Sequence, residues 1–153
     1  TVKKPLTFHA RHSAVKRTYK YYIINRRSPL SLDRNRAWHV RKKLNIKLMQ
    51  KGAKLLKGTK DFSTFRSSSC SAKSPIKTIE IARVKKISKK IEITFTSKSF
   101  LQQQVRSMVG SLKYLGEGKW SLDDFKNAFK SKKRKMCAPP APAHGLYLSK
   151  VVY

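Results

Sequence analysis

Carboxylates are scarce in this chain: seven Asp and Glu stand against 37 Lys and Arg, a net charge of +30 on 153 residues. Charge of one sign at that density opposes folding by self-repulsion unless an anionic partner neutralises it. Nucleic acid is the expected partner, because each neutralised phosphate releases condensed counterions; the blander alternative is a solvated basic surface with no specific ligand. Cysteine is scarce as well. Cys70 and Cys137 are too few and too isolated for a disulfide framework or a zinc site, which fits a reducing compartment. No apolar run approaches the roughly 18 residues of a membrane span, and the N-terminus carries no apolar signal-peptide core. A Gly-rich phosphate loop and a Ser-His-Asp nucleophile motif are both missing. His9, Arg11 and His12 lack metal-ligand spacing and nearby carboxylates, which argues against a metal centre. The chain opens on TVKKPLTFHAR, as a segment cut from something longer would.

Aliphatic and aromatic residues make up 39% of the chain, enough to argue against a disordered basic tail and for one domain with a real core. Residues 17–25 (RTYKYYIIN) read as a strand rich in aromatic and β-branched residues, interrupted by Ser28-Pro29. A short strand is expected near 37–42. Asn45 caps a predicted helix running to about Lys57, with Leu48, Gly52, Leu55 and Leu56 near one face and Gly58 as its stop. Residues 61–66 (DFSTFR) start a Ser-rich loop that extends to Pro75. Two strands, near 77–87 and 90–98, form a hairpin, the second with Ile91, Ile93 and Phe95 alternating with polar residues. A helix is predicted over 101–115. Ser121 opens another as S-L-D-D, with Asp123 and Asp124 at the dipole-favoured N-terminus. Residues 146–153 form a terminal strand. The order gives an α+β domain with a mainly antiparallel sheet.

Within 101–115 an apolar stripe runs through Leu101, Val105, Met108, Val109, Leu112 and Leu115. At 100° per residue Arg106 lies roughly 120° from its centre, either solvated or facing a cleft. Ser107, Gly110 and Ser111 share that far side, and small residues let another body approach closely. Tyr19 and Tyr21 fall on one face of their strand and Tyr22 on the other. Beside Lys16, Arg17 and Lys20 these tyrosines suit base stacking with phosphate neutralisation, or simply cross-strand aromatic packing. Phe62 and Phe65 read as core anchors beneath their loop. On residue types alone the chain is an intracellular α+β RNA-binding domain.

Four segments, taken together, resemble the C-terminal domain of the tRNA pseudouridine synthase A family. FHARHSAVKRTYKYYIIN is similar to its F-H-A-R-x-S-A…R-x-Y-x-Y segment, and DFSTFRSSSC to its D-F-x-x-F-R stretch. SFLQQQVRSMVGSL resembles its F-x-x-x-M-V-R-x-[MI]-V-G-x-L helix, and APAHGLYL its A-P-A-x-G-L-x-L close. They fall in family order over residues 8 to 148.

The resemblance implies a ferredoxin-like pseudouridine synthase domain over 1–153, with a mainly antiparallel sheet and helices packed on one face. It implies isomerisation of uridine to pseudouridine in the tRNA anticodon arm, without cofactor or metal, by a cytoplasmic (or organellar-matrix) homodimer. An Asp attacks the flipped-out uridine, the glycosidic bond breaks, and uracil rotates and rejoins through C5. Tyr19 matches the tyrosine that stacks on the target base and helps remove the C5 proton. Arg106 matches the arginine paired with the catalytic carboxylate, and Leu146 an apolar residue of the pocket wall. Arg11, Lys16, Arg17, Lys20, Arg66 and Arg134 are the expected RNA contacts. The departures are specific. The family's nucleophilic Asp sits in a G-R-T-D-x-G-V-H-A motif upstream of FHAR, and none of the seven carboxylates here occupies that place. Gln104 stands where Met is usual, Ser107 where Asn is frequent, and Ala138 and Pro140 replace the usual Gly and Thr. Two expectations follow: a synthase domain that is inactive alone and takes its Asp from an N-terminal half in cis or in trans, or a truncated relative that only binds RNA, within a larger ribonucleoprotein.

Overall fold

A computed structural model describes residues 16–26, 36–68, 70 and 72–152. Arg11, His9, His12, the Ser28-Pro29 interruption and Asp33 lie outside the described residues. Among the described residues the chain forms six strands and three α-helices. In chain order these are β1 (Lys16–Asn25), β2 (Trp38–Val40), α1 (Ile46–Leu56), β3 (Gly58–Asp61), β4 (Ile76–Ile87), β5 (Lys90–Ser97), α2 (Gln104–Gly116), α3 (Leu122–Ser131) and β6 (Leu146–Val152). No described helix is long and apolar enough to cross a membrane.

β1 is the organising strand, as its aromatic and β-branched content suits a position flanked on both edges. β5 runs antiparallel along one edge from Arg17↔Ser97 to Ile24↔Lys90. The other edge is shared: β6 pairs antiparallel with Lys16–Tyr21, and β2 pairs parallel with Ile23–Asn25. The sheet order is β2-β1-β5-β4-β3, with β6 beside β1. The expected α+β fold is thus the observed one, antiparallel throughout except for the β1–β2 pair. Ser88, with φ of 56°, and Lys89 make the β4–β5 turn.

Cross-strand register sends Tyr19, Tyr21 and Ile23 to the same side as Ile91, Ile93, Phe95 and Val84. That side meets Met49, Ala53 and Leu56 of α1 and Met108, Leu112 and Leu115 of α2 in one buried cluster. The opposite side carries Lys20, Tyr22, Arg83 and Lys85. Tyr22 there donates to Glu92 at 3.1 Å and meets the Tyr147 ring edge-on.

Both predicted caps form. The Asn45 side chain accepts from Leu48 N, and Ser121 and Asp124 make a reciprocal capping box. Three expectations shift. The buried stripe of α1 is Met49, Gly52, Ala53 and Leu56, with Leu48 and Leu55 only half-buried, because α1 rests on β4 and α2 together. Asp61 ends a strand rather than opening a loop: residues 58–61 pair with Ile79 to Ile76 of β4, and polar GTKD gives no strand signal of its own. α2 starts at Gln104, three residues later than predicted, because Gln103 is left-handed at φ 62°.

Candidate active site

The connection from β5 into α2 folds back over the inner side of β1. Tyr19, half-buried, meets Phe100 edge-on with ring centroids 5.3 Å apart. Leu146, the first residue of β6, pairs with Tyr21 and so lies beside Tyr19 on the same side of the sheet. The first turn of α2 supplies Gln104 and Arg106. Together Tyr19, Phe100, Gln103, Gln104, Arg106 and Leu146 line one cavity of about 300 Å³. Tyr19, Arg106 and Leu146, 127 positions apart at the extremes (19 to 146), therefore share a wall.

Arg106 faces this cavity because the far side of α2 is occupied. Ser107, Gly110 and Ser111 are buried, and the body that approaches them is the chain's own 138–142 segment. A Cβ on Gly110 would stand 2.0 Å from the Pro139 carbonyl oxygen. Ala141 N donates to the Arg106 carbonyl at 2.9 Å, and Arg106 Nε donates back to the Ala141 carbonyl at 2.7 Å. This two-point clamp uses Nε. The two terminal guanidinium nitrogens make no hydrogen bond among the described residues.

Tyr21 holds the next part of the same segment. Its hydroxyl donates to the Pro142 carbonyl at 2.5 Å, and Gly145 lies so close that a Cβ would sit 2.8 Å from the ring. Burial pushes the Tyr21 hydroxyl well above the usual tyrosine range, only partly offset by the Arg106 charge. It therefore stays a protonated donor at neutral pH.

Gln104 is fully buried: its Oε1 accepts from Leu101 N at 2.8 Å, while its Nε2 donates to the Met108 sulfur, 3.8 Å away. That side chain closes the turn that leaves Gln103 left-handed, a role its sequence position did not disclose. Phe100 and Gln103 likewise carry no sequence signal of their own beyond their place inside the SFLQQQVRSMVGSL segment.

The expected RNA contacts scatter. Arg134 reaches the mouth of the cavity, donating to Ser107 Oγ at 2.6 Å and to Gln103 Oε1 at 3.5 Å. Arg17 donates to the Lys98 carbonyl at 3.0 Å. Arg66 donates to the Ala72 and Cys70 carbonyls at 2.5 and 3.3 Å, stapling its own loop. Lys16 and Lys20 lie on the outer side of the sheet, paired with Glu80 at 3.1 Å and Glu92 at 3.7 Å. Phe62 and Phe65 are fully buried and pack against the half-buried Phe129, as core anchors.

Chemically the cavity offers an aromatic ring, an apolar wall and a clamped guanidinium. No carboxylate lines it among the described residues. No group of three His, Cys, Asp or Glu side chains among the described residues is placed to hold a metal ion.

Residues 53–153 match the family model described as tRNA pseudouridine synthase. The chain belongs to that family. It is 64% identical over 151 residues to the tRNA pseudouridine synthase A of Pelagibacter ubique, covering 99% of this chain and 61% of that protein. The tRNA pseudouridine synthase A of Paramagnetospirillum magneticum is 51% identical over 146 residues (95% and 57%), and that of Caulobacter vibrioides 47% over 146 (95% and 59%). The chain spans about three fifths of the length of these tRNA pseudouridine synthase relatives.

Proposed function

We propose that residues 1–153 act as the C-terminal domain of a tRNA pseudouridine synthase. The domain isomerises uridine to pseudouridine in the anticodon arm with an Asp nucleophile supplied from outside the chain. The observation that carries this reading is the shared cavity of Tyr19, Arg106 and Leu146, lacking a carboxylate of its own among the described residues. In the reaction the N1–C1′ bond breaks, a C5–C1′ bond forms, C5 loses a proton and N1 gains one. Flipping the uridine costs a few kcal/mol of unstacking, which the Tyr19 ring offsets by stacking on the base. Its hydroxyl assists removal of the C5 proton. The terminal nitrogens of Arg106 receive the incoming carboxylate and favour its ionised, nucleophilic form. Leu146 excludes water beside the base. No cofactor enters. The working form is a homodimer with tRNA across both subunits, in the cytoplasm or an organellar matrix.

A second reading is supported by the same missing carboxylate together with the +30 charge: an RNA-binding module without turnover. One set of measurements separates the two. Pseudouridine formation in tRNA is assayed for the chain alone and for the chain joined to a family N-terminal half carrying the Asp. The first reading expects turnover only in the joined protein, with Arg106→Ala lowering it about 100-fold or more by leaving a carboxylate unpaired. Tyr19→Phe should lower it less, but clearly. Normal turnover in both variants would overturn the site assignment. If the joined protein binds tRNA tightly but never turns over, the binding module is the function; if the chain binds no RNA at low salt, that second reading fails.

A further inference from the structure

The uridine cavity uses little of the positive charge. A separate basin of about 510 Å³ opens between β3 and the C-terminal halves of α1 and α3. Its floor is apolar, made by Leu55 and the half-buried Phe129, whose ring rests on Phe62 and Phe65. Its rim carries Lys60, Lys126, Lys130 and Lys132. Asp61 is the lone acid among the described residues that line it; its Oδ1 accepts from Ser63 N at 2.9 Å and Ser63 Oγ at 2.5 Å, and its charge is felt by Lys132 but leaves three lysines unmatched.

Four ammonium groups around an apolar floor are costly without a counter-charge. Lys126 and Lys130 are one helical turn apart, a destabilising like-charge spacing. None of the four lysines makes an ion pair within 4.0 Å among the described residues. The negative end of the α3 dipole accommodates Lys130 and Lys132, but not Lys126, at mid-helix, or Lys60, on β3. Lys60 Nζ is held inward, donating to the Leu55 carbonyl and 6.0 Å from the Phe129 ring centre.

We propose that this basin is a second RNA-binding site, taking backbone phosphates on Lys126, Lys130 and Lys132 and one unstacked base on the Leu55–Phe129 floor. It rests on the reading that the chain handles RNA. Lysine is a mobile point charge suited to phosphate oxygens, and a base–aromatic contact tolerates any sequence. The 132–134 segment links the basin to the uridine cavity along the chain. Lys132 lies two residues before Arg134, whose guanidinium reaches Gln103 at the cavity mouth. In this proposal a strand leaving the cavity runs over Arg134, Lys133 and Lys132 to the basin.

The test compares two triple variants of the 153-residue chain with equal loss of charge: Lys126, Lys130 and Lys132→Gln in the basin, and the exposed Lys85, Lys86 and Lys89→Gln on the β4–β5 hairpin. Binding of a single-stranded anticodon-arm RNA is titrated across a salt series, with folding checked by circular dichroism. The basin variant should lose about 10- to 100-fold in affinity at 0.1 M salt, and its log–log salt slope should fall by about 2. The hairpin variant should lose less than about threefold. Equal losses would overturn this inference while leaving RNA binding intact. Displacement of the RNA by polyglutamate as readily as by unlabelled RNA would overturn the assignment of the occupant. A wild-type chain that binds no RNA would remove the underlying reading, and this inference with it.

Discussion

Replacing Gly110 by alanine sets two effects of opposite sign against each other. In a helix interior the exchange ordinarily gains about 1 kcal/mol of helix propensity. Here the new Cβ would stand 2.0 Å from the Pro139 carbonyl oxygen, 3.1 Å from its carbon and 3.4 Å from Ala141 N. These are backbone atoms, so the 138–142 segment itself must move. Overpacking of this kind costs about 1–3 kcal/mol. The movement also strains the clamp in which Ala141 and Arg106 exchange hydrogen bonds of 2.9 and 2.7 Å, the second charge-assisted and worth about 1.5–3 kcal/mol. The net expectation is a destabilisation of about 1.5–5 kcal/mol, read from urea unfolding followed by circular dichroism. Gly52→Ala is the comparison: its Cβ would meet Leu115 Cδ2 at 2.6 Å and Leu112 Cδ2 at 2.9 Å, ends of side chains that can rotate. It should cost clearly less. A Gly110→Ala chain as stable as the wild type, or more so, would refute the clamp and with it the account of how Arg106 is aimed.

Ser121→Ala removes the acceptor for Asp124 N, 3.1 Å away, and half of the capping box; it should cost about 1 kcal/mol, and an unchanged melting midpoint would count against the cap. Asp61 gives a pH prediction. Burial opposes its ionisation, but hydrogen bonds from Ser63 and the charges of Lys132 and Arg66 outweigh that and hold its carboxyl below the usual range. Its stabilisation is therefore fully present above the unfolded Asp pKa of about 4 and lost as pH falls through the folded value. The stability gap between wild type and Asp61→Asn should shrink on acidification from neutral pH, and a gap that widens would contradict the sign.

Local chemistry was legible along the chain wherever it acts through the backbone of neighbouring residues. Aromatic and β-branched alternation marked β1 and β5, and the side-chain oxygens of Asn45 and Ser121 marked helix starts, because a cap bonds amides only two or three residues away. Period 2 put Tyr19 and Tyr21 on one side, and period 3.6 turned Arg106 away from the apolar stripe of α2. The small residues beside Arg106 announced that something would pack there. What would pack there, the 138–142 segment, was decided by tertiary structure. So was β3, whose polar GTKD becomes a strand only because β4 offers free hydrogen-bonding groups. The late start of α2 depends on a buried Gln104 amide and a left-handed Gln103. Lys16 and Lys20 surround Tyr19 in sequence yet lie across the sheet from its ring or engaged with carboxylates, since alternation sends Lys20 to the other side and Glu80 and Glu92 draw both to ion pairs. The basin around Phe129 was invisible because its lysines come from β3, α3 and the residue after α3. Periodicity and capping encode torsions and faces within one segment; which faces meet is settled only when burial of all of them is satisfied at once.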